Sequence, residues 1–157
     1  AQREHFDRWG WSNEEALALA LKNAERIGQF GESFLGGPEG TPGITLITSP
    51  TGLGAARSHD RGFLASRAGA MGLLFIIPAQ DVILFAPIHT LSDFNATMGQ
   101  LKHMAEQAYA TSEHPISPDV YWFHDGVHEK LDLRVEDGRG RFFPSPRLVA
   151  LLESRPK

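Results

Sequence analysis

Gly72-Leu73-Leu74-Phe75-Ile76-Ile77, the break Pro78-Ala79-Gln80-Asp81 and the run Val82-Ile83-Leu84-Phe85-Ala86 decide how this chain folds. Both runs are short and rich in β-branched and aromatic residues, so they read as strands rather than helix. The four-residue break between them suits a hairpin. Neither run alternates apolar with polar, so both are expected to be covered on two faces and to form the middle of a sheet. Pro78, Gln80, Asp81 and Pro87 also keep this most apolar stretch from being a membrane span, which needs ~20 mostly apolar residues.

Working outward, Phe94, Met98, Leu101, Ala105 and Ala108 recur at helical spacing and predict a helix over about residues 92–110, capped by Thr90 or Ser92. Its apolar face is expected to lie on the hairpin. Upstream, Ser12-Asn13-Glu14-Glu15 has the capping-box pattern, and Leu17, Leu21, Ala24 and Ile27 continue a helix from Asn13 to Ile27, stopped at Gly28. Residues 28–43 hold six glycines and two prolines and read as a long loop. A strand at Ile44–Thr48 and a helix around Asp60–Ala68 follow. Downstream, Val120–Phe123 reads as a strand, Asp125-Gly126 as a turn, and Leu131, Leu133 and Val135 as an alternating strand. Asp137-Gly138 is a second turn signal, and Phe142 and Phe143 are read as continuing the sheet. Ser145-Pro146 then opens a final helix with an N-cap and a proline in the first turn.

Strands joined by turns outnumber strands joined by helices. The expectation is an α+β fold, a mixed or mainly antiparallel sheet of about five strands with about four helices packed on it. The 157 residues make one domain, with residues 1–10 as an extended arm. Apolar residues at 41% and charged residues at 22% suit an ordinary globular core.

Composition narrows the function. There is no cysteine, which removes disulfides, thiolate metal sites and cysteine nucleophiles, and fits a reducing, cytoplasmic setting. The start of the chain shows no apolar signal-peptide run. A net charge of −4, with no basic run longer than the Arg139–Arg141 pair, argues against nucleic acid as a partner.

Four clusters are candidates for chemistry. Phe30, Phe34 and Leu35 sit inside the Gly/Pro loop and either pin it to the core or form a mobile, partner-binding segment. Gly52-Leu53-Gly54-Ala55-Ala56-Arg57 follows a strand and precedes a helix, where backbone amides and Arg57 would suit an anion, although it is neither a dinucleotide fingerprint nor a P-loop. His124, Asp125 and His128 offer imidazole and carboxylate donors for a divalent metal, with His59 or His89 as further ligands, although two histidines flanking a turn are more often exposed hairpin residues. Ser58-His59-Asp60 has the residue types of a hydrolytic triad, but consecutive side chains diverge, and helix capping explains them more simply. Trp9, Trp11 and Trp122 are read as packing residues, the first two alternatively as part of an exposed partner surface.

The opening helix from Trp11 to Asn23, the stretch Ser58–Arg67 leading into the hairpin, and the long helix followed by His114-Pro115-Ile116-Ser117-Pro118 together resemble the YtpQ-like family of uncharacterised bacterial domains. The resemblance spans about residues 9–137 and implies an α+β fold with no established activity. That family is expected to carry Pro-Asn-Arg-Asp at the hairpin turn. Here Pro78-Ala79-Gln80-Asp81 keeps only the outer pair.

The expectation for function is therefore a non-catalytic intracellular domain that binds a protein or a small ligand through Phe30, Phe34, Leu35, Gly52, Gly54 and Arg57. No cofactor or membrane contact is expected, and a homodimer is an option. The alternative is a metal-assisted hydrolase built on His124, Asp125 and His128.

Overall fold

The computed structural model describes residues 10, 12–37, 42–136 and 139–154. Its elements are α1 (Asn13–Ile27), β1 (Gly31–Phe34), β2 (Thr45–Thr48), a 3₁₀ turn (Gly54–His59), α2 (Arg61–Arg67), β3 (Leu73–Ala79), β4 (Val82–Pro87), α3 (Leu91–Thr111), β5 (Val120–His124), β6 (Val127–Lys130), β7 (Asp132–Glu136), β8 (Arg139–Phe143) and α4 (Pro146–Glu153). Six strands form one sheet in the order β1-β2-β4-β3-β5-β6, and β7 and β8 form a separate two-stranded ribbon. Every pairing is antiparallel. The fold is α+β, as the strand-rich order of elements requires.

The central hairpin organises both layers. On β3, Leu74 and Ile76 face one side, with Leu84 and Ala86 of β4 and Val120 and Trp122 of β5. There they meet Phe94, Leu101 and Ala105 of α3 and Leu148 of α4. Leu73 and Phe75 face the other side with Ile83, Phe85 and Phe123, and they bury Leu64 of α2. Successive residues of a strand point to opposite faces, so an unbroken apolar run is what a sheet with helices on both sides demands. A bulge between Ile76 and Ala79 lets β3 run past Pro78, which reduces the turn to Gln80 and Asp81.

The helices begin where side-chain caps satisfy their first amides. Ser12 and Glu15 form a full capping box on α1, and Thr90 with Asp93 does the same on α3. Ser145 caps α4 through Leu148 N–H, with Pro146 at the first position.

Three expectations need correction. The Gly/Pro loop contains β1, a strand with every residue exposed and therefore no burial alternation to betray it. The segment after Asp125-Gly126 is two strands: β6 pairs with β5, while β7 leaves the sheet after the buried Leu131. Phe142 and Phe143 do not continue the main sheet. They lie in β8, and the Phe142 ring packs against Phe94 at 5.6 Å between centroids. The expectations for Trp9, Trp11, the arm at residues 1–9 and the turn at Asp137-Gly138 fall outside the described residues.

Candidate functional site

β1 is an edge strand, hydrogen-bonded to β2 with Gly31 opposite Thr48 and Phe34 opposite Thr45. Just beyond it, Leu35 N–H donates to the Ile44 carbonyl at 2.8 Å and Ile44 N–H donates to the Gly36 carbonyl at 3.1 Å. Leu35 and Gly36 thus share one partner in a bulge, with Gly36 at φ +72°. Inward bonding alternates along an antiparallel strand. With Leu35 bonded inward, Ser33 and Gly31 are too, so the N–H and C=O groups of Glu32 and Phe34 point away from β2. Among the described residues no strand lies on that side.

The side chains keep this edge in place while leaving it open. Glu32 receives both ends of the Arg67 guanidinium, at 2.7 and 2.9 Å, which ties β1 to α2. The Phe34 ring lies against Gly43, where a methyl group would collide with it, yet Phe34 is 72% exposed and Leu35 48%. Of the loop aromatics, Phe30 alone turns inward. It packs on the second core cluster, and the Arg57 guanidinium lies 4.3 Å above its ring.

That contact fixes the role of Arg57. The same guanidinium pairs with Asp60 at 3.1 Å and Glu25 at 3.6 Å and sits 5.4 Å from the Phe63 ring. Its charge is spent on joining α1, the 3₁₀ turn and α2, rather than on an anion. Gly54 has a packing role as well, because a Cβ there would collide with the backbone of Asp81 and Val82. The turn needs that approach because Ala55 N–H donates to Gln80 and Ser49 N–H donates to Asp81. The anion cradle read into Gly52–Arg57 is therefore corrected to a docking turn. Gly52 instead lines a cleft of ≈ 590 Å³ with Ser49, Thr51, Gln80, Asp81 and Glu113, in which the Ser49 and Thr51 hydroxyls are 2.8 Å apart.

The proposed metal ligands are separated by the sheet. Asp125 and Gly126 both have positive φ, at 49° and 73°, which makes a two-residue hairpin turn of the primed type. That turn sets His124 opposite Val127 and His128 opposite Phe123. His124 stacks on Trp122 at 5.4 Å between ring centroids, on the α3 face, and its Nδ1 lies 3.2 Å from Asp125. His128 turns to the opposite face, its ring centroid 6.2 Å from that of Phe75 and 6.4 Å from that of His59, both in edge-to-face geometry. The two imidazoles cannot share one ion, and among the described residues no three His, Asp or Glu side chains converge on a metal position. His59 does meet His128. Burial, helped by His59 and Arg61, pushes the His128 imidazole below its usual value.

Ser58-His59-Asp60 is not a triad. Ser58 is buried and donates to the Ala55 carbonyl at 2.7 Å, and Asp60 caps α2 by accepting from Phe63 N–H at 2.9 Å. Among the described residues, no helix is long and apolar enough to cross a membrane.

No family model, no curated protein and no solved structure matches this chain.

Proposed function

We propose that the chain is a non-catalytic interaction domain that receives an extended segment of a partner protein along β1. One observation carries the reading: the outward N–H and C=O groups of Glu32 and Phe34 lie beside a largely exposed phenylalanine and leucine. An extended peptide gains affinity from main-chain hydrogen bonds to such an edge, and selectivity from its alternate side chains. Phe34 would meet an apolar side chain of the incoming strand, and the Glu32–Arg67 pair would set its polar neighbour. The cysteine-free composition supports a reducing, cytoplasmic setting for the partner. Kinship with the YtpQ-like family belongs to the same proposal and brings no activity with it.

The test is selection of binding peptides from a displayed random library, followed by amide chemical-shift mapping. Peptides should shift residues 31–36. Phe34→Ala should weaken them at least tenfold, and Glu32→Pro, which removes an outward N–H that β2 does not use, should do the same. Selected peptides that map elsewhere, or that bind both variants unchanged, would overturn the reading. A solution mass at twice 17.3 kDa, lost in Glu32→Pro, would identify a second copy of the chain as the occupant.

A further inference from the structure

The two ends of the main sheet are finished differently. At β6, α4 is fastened alongside: Arg147 donates to the Val127 carbonyl at 3.3 Å, and the capping Ser145 donates to the Glu129 carboxylate. β1 carries no such cover among the described residues, and all four of its side chains are exposed.

Two features fit β1 to a second copy of itself. The first is register. When two β1 strands lie antiparallel about a two-fold axis at Ser33, Glu32 of each falls opposite Phe34 of the other. Each of these pairs exchanges its outward N–H and C=O groups, so no outward group of Glu32 or Phe34 is left over. The second is charge. The same axis makes the two Glu32 side chains diagonal neighbours, about 7–8 Å apart between strands. Bare carboxylates there would repel, but each is already held by its own Arg67 guanidinium at 2.7 and 2.9 Å. The two Phe34 side chains are diagonal neighbours as well, within reach of each other. Leu35 falls opposite Gly31, where no side chain competes for the space.

On the reading of β1 as a recognition edge, we propose that the strand it receives is β1 of a second copy. The product is a symmetric dimer with one sheet running through both protomers. An edge that pairs with itself closes after two copies and does not propagate. The contact is short, so the dimer is weak and concentration-dependent rather than obligate.

Sedimentation equilibrium of the full chain over a dilution series should show the mass rising from 17.3 kDa towards twice that value. NMR on a mixture of isotope-labelled and unlabelled copies should give a contact between the α-protons of the two Ser33 residues, which meet across the axis in this register. Ser33→Lys sets two ammonium groups side by side at the axis from an exposed position. It should weaken the dimer at least tenfold while the melting temperature of the dilute monomer is unchanged, and Phe34→Ala should weaken it to a similar degree. A mass of 17.3 kDa at every concentration, a dimer without the Ser33 contact, or a dimer undiminished in both variants would overturn the proposal. In each of those cases, selected peptides that still map to residues 31–36 keep β1 as a recognition edge for a different protein. Peptides that map elsewhere remove that reading too.

Discussion

The indole N–H of Trp122 donates to the carbonyl of Met71 at 2.8 Å, joining β5 to the turn that leads into β3. Both residues are at most 2% exposed, so this carbonyl has no ready access to water if the donor is removed. Trp122→Phe keeps much of the ring packing but leaves the Met71 acceptor unpaired. A buried acceptor stranded in this way costs about 1–3 kcal/mol, to which the smaller ring adds a packing loss. Urea unfolding should report a fall in the midpoint, while the slope against denaturant stays the same.

The His59–His128 edge contact predicts how stability responds to acid. Burial, His59 and Arg61 hold the folded His128 below the value of about 6.5 that it has in an unfolded chain. The unfolded state therefore takes up a proton first as pH falls. The stabilisation from this site is complete above pH 6.5 and is lost as pH drops through the lower, folded value. Melting temperatures measured between about pH 7.5 and about pH 5 should fall, and His128→Gln should flatten the curve in that range. His59→Gln removes one of the opposing charges, and NMR titration should show His128 moving back up.

Two glycine-to-alanine substitutions should move stability in opposite directions. At Gly99 the methyl meets open space in the middle of a long helix, so Gly99→Ala should stabilise by about 1 kcal/mol. At Gly54 it would collide with the backbone carbonyl of Asp81 and the amide of Val82, neither of which can swing aside as a side chain would. Gly54→Ala should therefore destabilise by more than about 2 kcal/mol, through overpacking and displacement of the β3–β4 turn. Thermal unfolding of the two variants side by side separates these signs.

Phe34 should matter little to the isolated fold. With 72% of its surface exposed, Phe34→Ala should change unfolding free energy by no more than about 0.5 kcal/mol. Loss of the exposed Glu32–Arg67 pair in Glu32→Ala should cost about 0.2–1 kcal/mol, and less at high salt. A peptide affinity that collapses while stability holds would separate recognition at this edge from folding.

The parts of the fold that bury apolar surface were legible because burial writes a period into the sequence. α1 begins and ends where its capping box and Gly28 place it. The β3–β4 hairpin sits at the centre because its apolar runs serve two layers. β1 left no such trace, since an edge strand exposed on both sides has no burial pattern and the glycines around it imitate a loop. β6 was hidden for a related reason: Val127-His128-Glu129-Lys130 has one apolar residue, and that residue is exposed. The departure of β7 from the sheet depends on where α3 lies, which no local pattern encodes.

The candidate residues divide in the same way. Phe30 and Arg57 were both singled out, but their stacking on one another joins two segments whose proximity only the tertiary fold supplies. The separation of His124 from His128 was within reach of the sequence. A two-residue turn at Asp125-Gly126 pairs His128 with Phe123, and neighbours of opposite parity on one strand, Phe123 and His124, face opposite sides. Gly99 stood in plain view inside a helical pattern, and its open surroundings became apparent only with the β7–β8 ribbon in place.

The position of β3 between β4 and β5 has a consequence for the chain as it is being made. One neighbour follows immediately across Gln80 and Asp81, but the other begins at Val120, after the whole of α3. On the ribosome, the backbone of Leu73–Ile76 therefore waits with one side unpaired while more than thirty further residues are synthesised. At about 5–20 residues per second that interval lasts seconds, long against the ~1–10 μs in which a hairpin closes. For that time this strongly apolar strand is half of a sheet: α2, already made, covers its Leu73 and Phe75 face, and α3, folding as it emerges, is available to shield Leu74 and Ile76.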